Sequence, residues 1–360
     1  MSTKVIEELL QNEDFNKRID AVKQFRNVSN EQERKQLFLK VIEDFNHEVR
    51  AAAANEIELC PSIYTKFLSD PDPQVRIAII EHSIEIRKTQ SDILTNLQNV
   101  VNDSVPDVRC AFAKVLHKHA EFTNSKGEID KTVLASTIIQ NIDRLLSDRN
   151  DDVRIAASQN IKFLTIQFGF DFVFEQLHNS LHHMLTDTQW RVRINAVELL
   201  FGLSLVCPVE FFNDNLFPFF RQFLRDPCSK IRQFTLSALP NLASHFDEEW
   251  LKTTLIEELQ TLAQSDNFLH RETYLYSISV LAGFFPVQYQ SNYVFQPMIR
   301  MLKDQVQNVV LLAIELLSKH KDSIHPFRRQ YELKPILEEL AENSPPTTKA
   351  RAAKLIENLQ

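Results

Sequence analysis

An aspartate and an arginine recur along this chain at a fixed offset: Asp44/Arg50, Asp70/Arg76, Asp103/Arg109, Asp148/Arg154, Asp187/Arg193 and Asp226/Arg232. From Arg154 onward the arginine position returns every 39 residues, at 193, 232, 271, 310 and 349, with Val310 and Lys349 in place of arginine at the last two. A period of that length means copies of one supersecondary unit, none of which can bury its apolar face alone.

The apolar positions keep the same period. Residues 142, 181, 220, 259, 298 and 337 read Ile, Leu, Phe, Leu, Met, Leu, and three positions later 145, 184, 223, 262, 301 and 340 read Leu, Met, Phe, Leu, Met, Leu. That spacing predicts one helix, A, with a continuous apolar face. Past each arginine position a second stripe at 161, 200, 239, 278, 317 and 356 (Ile, Leu, Leu, Ile, Leu, Ile) predicts a second helix, B. The expected fold is all-α, an α-solenoid (superhelix) of about ten HEAT repeats, with arginine-equivalent positions at Arg18, Arg50, Arg76, Arg109, Arg154, Arg193, Arg232, Arg271, Val310 and Lys349.

The first four spacings, 32, 26, 33 and 45, are irregular. They divide one continuous solenoid into irregular repeats over 1–140 and regular ones over 141–360. One unit is clipped near Pro61 to Pro71 and another expanded around Thr123 to Thr132, where the polar TNSKGEIDKT with Gly127 predicts an exposed loop. Pro218 and Pro335 lie three periods apart, at the expected start of helix A, where a missing N–H is harmless.

Composition excludes several functions. With four glycines in 360 residues the chain lacks the material for phosphate-cradling loops. A formal charge of −8 gives no overall attraction for nucleic acid or an anionic membrane. Cys60, Cys110, Cys207 and Cys228 are scattered, which reads as buried thiols in a reducing compartment rather than zinc ligands or disulfides. The start, MSTKVIEELLQNEDF, carries acids where a secretory signal needs a basic and then apolar run, so cytoplasm or nucleus is expected. His47-Glu48 is a lone His-Glu pair, and His117, His119, His182, His183 and His270 lack carboxylates at ligand spacing. No catalytic motif appears. The expectation is a non-enzyme without cofactor or metal.

The aspartates and arginines are read as a structural ladder, Asp148, Arg154, Asp187, Arg193, Asp226 and Arg232 among them, in which the Asp of one unit meets the Arg of its neighbour. Exposed pairs of this kind contribute about 0.2–1 kcal/mol each, and more when desolvated. The pattern lapses at Ser265, Val310 and Asn343, so the C-terminal ladder is weaker or re-purposed. The turns before each arginine read Trp190-Arg191, Ser229-Lys230, Phe268-Leu269 and Gln307-Asn308. Large aromatics and cations in such turns suit interface anchors. The alternative is that Trp190 and Phe268 fold back over helix ends.

The phrases DTQWRVRINAVELL, VEFFNDNLFPFF, HFDEEW and DNFLHRETYLYSISVLA, between Asp187 and Ala282, resemble the C-terminal repeats of the scaffold (A) subunit of protein phosphatase 2A. LKPILEEL at 333–340 is similar to the start of that family's last repeat and EVRAAAANEIELC at 48–60 to a middle one. The opening ELLQNEDFNKRIDAVKQF is similar to its first, so the chain reads as shortened by internal loss of repeats. The resemblance implies a scaffold that holds a phosphatase catalytic subunit on its C-terminal turns and a regulatory subunit on its N-terminal repeats. Trp190 and Arg191 match the family's catalytic-subunit anchor, Phe268 stands where the family has tyrosine, and Asn308 matches an asparagine. Leu269 and Gln307 complete that set. Ser229 departs from a family aromatic and Val310 from the usual arginine. Asp72, Pro73, Gln74, Pro106 and Asp107 are the corresponding expectation for regulatory binding. The alternatives are a HEAT-type regulatory subunit of a related phosphatase, or a HEAT adaptor for transport or tubulin binding.

Overall fold

A computed structural model describes residues 3–90, 92–121 and 137–359, and the predicted loop over Thr123 to Thr132 falls outside them. The described residues are helical and contain no strand. They fall into two compact units, Met1–Leu199 and Leu200–Gln360.

The first unit is a series of helical hairpins. Phe15–Lys23 packs on His47–Asn55, which packs on Pro73–Glu81, then on Pro106–Glu121, then on Asp151–Ser158, forming the row of B helices. The repeat that the spacing marks as clipped keeps a helix A of five residues, Tyr64–Leu68. Gly169, the one residue with positive φ among those described, turns the chain between Ile161–Phe168 and Phe170–Leu185. A side chain there would be strained whatever the space around it.

The second unit repeats the hairpin more uniformly. Its B helices, Ser229–His245, Phe268–Leu281, Gln307–Lys319 and Pro346–Asn358, pack one on the next. The predicted stripes form the cores: Ile142, Leu181, Phe220, Leu259, Met298 and Leu337 are buried, as are Ile161, Leu200, Leu239, Ile278 and Leu317. In the other stripe Met301 and Leu340 are half-buried, as is Ile356.

Helix A begins earlier than the prolines suggest. In the second unit it opens at Val209, Glu248, Val287 and Pro326, and each time passes through a π-helical turn, at Phe212–Leu216, Leu251–Ile256, Ser291–Phe295 and Arg329–Leu333. Pro218, Pro297 and Pro335 each come one residue past such a turn. The residue before each, Phe217, Gln296 or Lys334, donates its N–H to a carbonyl five residues back. Prolines 218 and 335 therefore lie inside helix A rather than at its start. The widened turn tolerates a residue that has no N–H and would clash with the carbonyl four residues back. One period on from Pro218 stands Glu257, and the π turn is still there. The turn thus belongs to the repeat, and the proline is accommodated by it.

Candidate functional site

Several A-to-B turns are built by three residues acting together. Asp14, Asn46, Asp72, Asn150 and Asn267 cap helix B by accepting an N–H of its first turn, four residues ahead of the ladder arginine. Two residues before the cap, the ladder aspartate accepts the cap residue's own N–H, as Asp44 does from Asn46 at 2.9 Å and Asp148 from Asn150 at 2.9 Å. The arginine closes the loop: Nη1 of Arg50 donates to the Asp44 carbonyl at 2.7 Å, and Nη1 of Arg154 to that of Asp148 at 2.8 Å.

With Nη1 fixed, the other edge of the guanidinium points at the next repeat. Nε and Nη2 of Arg18, Arg50, Arg76, Arg109, Arg154 and Arg271 donate to both oxygens of Asp44, Asp70, Asp103, Asp148, Asp187 and Asp304. The Arg154 and Asp187 side chains are 12% and 11% exposed, so this is a partly desolvated bidentate pair rather than a surface contact. Burial alone would push the Asp148 carboxyl up, but the bond from Arg109 and the Asn150 N–H outweigh it and hold it below the usual value. Arg109 is raised in turn, chiefly by its bond to Asp148. Arg193 Nη1 donates to the Asp187 carbonyl at 2.6 Å, and Asp226 accepts from the Cys228 N–H at 2.8 Å. Arg232 follows a different pattern, because Ser265 stands where its carboxylate partner would.

Trp190, Phe268 and Gln307 are each the first residue of a B helix, so these side chains leave from the first helical turn rather than from the loop before it. Trp190 is 39% exposed. Beside it Arg191 is held by two carboxylates of the preceding repeat, Asp151 at 3.3 Å and Asp152 at 2.9 Å. The chain's other tryptophan contrasts with it. Trp250 is buried against Phe212, Phe217 and Phe246, its Nε1–H donating to Asn213 at 2.9 Å. In the second unit Phe268 and Leu269 are half-buried, Asn308 is exposed, and Gln307 donates to Thr347 at 2.9 Å. In the first, Gln74 and Asp107 are exposed and Asp72 and Pro106 half-exposed, with Pro73 and Pro106 opening their helices. Trp190 and Arg191 lie in one compact unit, the Phe268 and Gln307 positions in the other.

Among the described residues no group of three or more His, Cys, Asp or Glu could hold a metal ion, and no helix is long and apolar enough to cross a membrane. The four cysteines are unpaired. The arrangement displays turns and helix starts at regular intervals.

Residues 92–320 match the family model of the PIK3R4-like middle domain. The chain belongs to the PIK3R4-like middle-domain family. Residues 3–164 also match the model of the sister chromatid cohesion protein PDS5. No curated protein matches significantly. Among solved structures, this PIK3R4-like chain is similar to Kap121p bound to Ste12p, with a TM-score of 0.71 and 14% identity over 99% of this chain and 41% of that one. It is also similar to importin β, with 0.60 and 15% over 98% and 48%. Kap95p in its complex with RanGDP gives 0.65 and 14% over 99% and 48%. The chain thus spans less than half the length of these structures. At such identities the likeness is one of fold, that of a HEAT-repeat α-solenoid.

Proposed function

We propose that this chain is a non-catalytic HEAT scaffold that holds the catalytic subunit of a protein phosphatase 2A-type complex, working in the cytoplasm or nucleus. The observation that carries the reading is the pair Trp190 and Arg191. An aromatic ring 39% exposed stands at a helix start, next to a guanidinium anchored by Asp151 and Asp152. Because Arg191 is already held by the preceding repeat, the guanidinium beside the ring has little side-chain freedom left to lose, which favours binding. The W-R-V-R and L-H-R phrases that resemble the phosphatase scaffold begin at or beside such helix starts. Phe268, Leu269, Gln307 and Asn308 would extend the contact. Asp72, Pro73, Gln74, Pro106 and Asp107 would face a regulatory subunit. Affinity purification of the full chain from its native cells, read by mass spectrometry, tests this: a phosphatase catalytic subunit should be the major partner, and transport cargo or tubulin in its place would contradict it.

A further inference from the structure

The forks of Arg18, Arg50, Arg76, Arg109, Arg154 and Arg271 each close on a carboxylate of the following repeat, and that of Arg232 does not. In the regular repeats the partner lies 33 residues on, as for Arg154 with Asp187 and Arg271 with Asp304. Counting the same distance from Arg232 reaches Ser265. The side chain is nevertheless placed like the others: Arg232 is 8% exposed, and its Nη1 donates to the carbonyls of Asp226 at 2.7 Å and Pro227 at 3.2 Å. Its Nε and Nη2, the edge that grips a carboxylate in the other rungs, have no hydrogen-bond acceptor among the described residues.

The surrounding groups do not neutralise it. The Ser265 hydroxyl is within 2.9 Å of His270 Nδ1 and accepts a long 3.3 Å bond from the Asn267 N–H. His270 is held below its ordinary pKa by burial first and then by the charges of Arg225 and Arg232, so at neutral pH it adds no positive charge. Arg225 is paired with Glu258 at 2.7 Å. Glu272 is near enough for the Arg232 charge to act on it, yet forms no ion pair with it, and burial raises its pKa. The net result is one oriented guanidinium edge carrying one positive charge between two repeats.

We infer that the Arg232 edge is a binding point for a carboxylate, presented by an Asp or Glu side chain of a partner protein docked along the B-helix starts of the second unit. The chain's own geometry names the ligand, because every closed rung holds a carboxylate in bidentate contact with this same edge. A single carboxylate balances the single charge. A phosphate dianion would leave one negative charge unbalanced. The inference goes beyond the phosphatase reading and stands without it, since any acidic partner segment would serve.

The test needs no partner. In full-length protein labelled with 15N at arginine, the Nε–Hε resonance of Arg232, assigned by its loss in Arg232→Gln, is followed during titration with sodium acetate, sodium chloride at equal ionic strength, and inorganic phosphate. Acetate should give a saturable shift that chloride does not, and Ser265→Asp, which supplies an internal carboxylate, should abolish the response. An acetate shift equal to that of chloride, an undiminished response in Ser265→Asp, or saturation by phosphate at lower concentration than acetate would overturn the inference. Should Ser265→Asp fail to fold, the rise in melting temperature with acetate, present in the wild type and lost in Arg232→Gln, decides the matter; equal rises in both would overturn it.

Discussion

Arg154 and Asp187 meet through two parallel hydrogen bonds, 2.7 and 3.1 Å, across the gap between consecutive repeats. Both residues are also tied into their own turns: Arg154 to the Asp148 carbonyl at 2.8 Å, and Asp187 to the Gln189 N–H at 2.7 Å. The pair therefore joins two pre-formed turns, and little conformational freedom is lost in making it.

Truncating one member of such a pair leaves a partly buried charge without its partner. Asp187→Ala should destabilise the protein by about 2–4 kcal/mol, well above the 0.2–1 kcal/mol of an exposed pair. A double-mutant cycle with Arg154→Ala, read by urea unfolding, should return a coupling of at least about 1 kcal/mol. Additive single effects would show that the rung is decorative.

His119 predicts an acid-sensitive stability. Its ring is fully buried, its Nε2 lies 2.9 Å from the Ser83 hydroxyl, and its Nδ1 has no partner among the described residues. Burial first, then the charge of Arg87, pushes its pKa from 6.5 down to about 3. A base whose folded pKa lies below its unfolded one contributes stability that is full above pH 6.5 and is lost as the pH falls toward 3, at about 1.4 kcal/mol per unit. Between pH 7 and pH 5 the wild type should lose about 2 kcal/mol more than His119→Gln. Equal losses, measured by urea midpoints at the two pH values, would contradict this.

Pro218 sits inside helix A, one residue past the π turn of Phe212–Leu216. A proline in an ordinary helix interior costs about 3 kcal/mol, so its removal should be strongly stabilising. Here the turn persists one period on, where Glu257 stands. Pro218→Ala should therefore change stability by less than about 1 kcal/mol. A rise of roughly 3 kcal/mol would mean that the proline strains the helix after all.

Much of the fold is readable from residue order because the repeat supplies internal evidence. Ile142, Leu181, Phe220, Leu259, Met298 and Leu337 share one register, and all are buried. The π turns were not readable: they leave the apolar stripe almost in phase, and Pro218 and Pro335 look the same at a helix start as behind a widened turn. The caps were in plain view at Asn46, Asp72, Asn150 and Asn267, four residues ahead of an arginine, and could have placed Trp190 and Phe268 on the helix rather than in the loop. His119 could not have been told from His117, since the burial of one and the half-exposure of the other depend on packing between repeats. Partner identity is less legible still. HEAT repeats share a core pattern across many partners, and the matches to the PIK3R4-like middle domain over 92–320 and to PDS5 over 3–164 name no partner for this chain.

The most direct test of the proposed function is calorimetric titration of the purified full-length chain with a protein phosphatase 2A-type catalytic subunit. The account predicts saturable one-to-one binding, and a loss of more than about 2 kcal/mol, roughly thirtyfold in Kd, for Trp190→Ala with Arg191→Ala at unchanged circular dichroism and melting temperature. No binding by the wild type, or equal binding by a folded double variant, would contradict it.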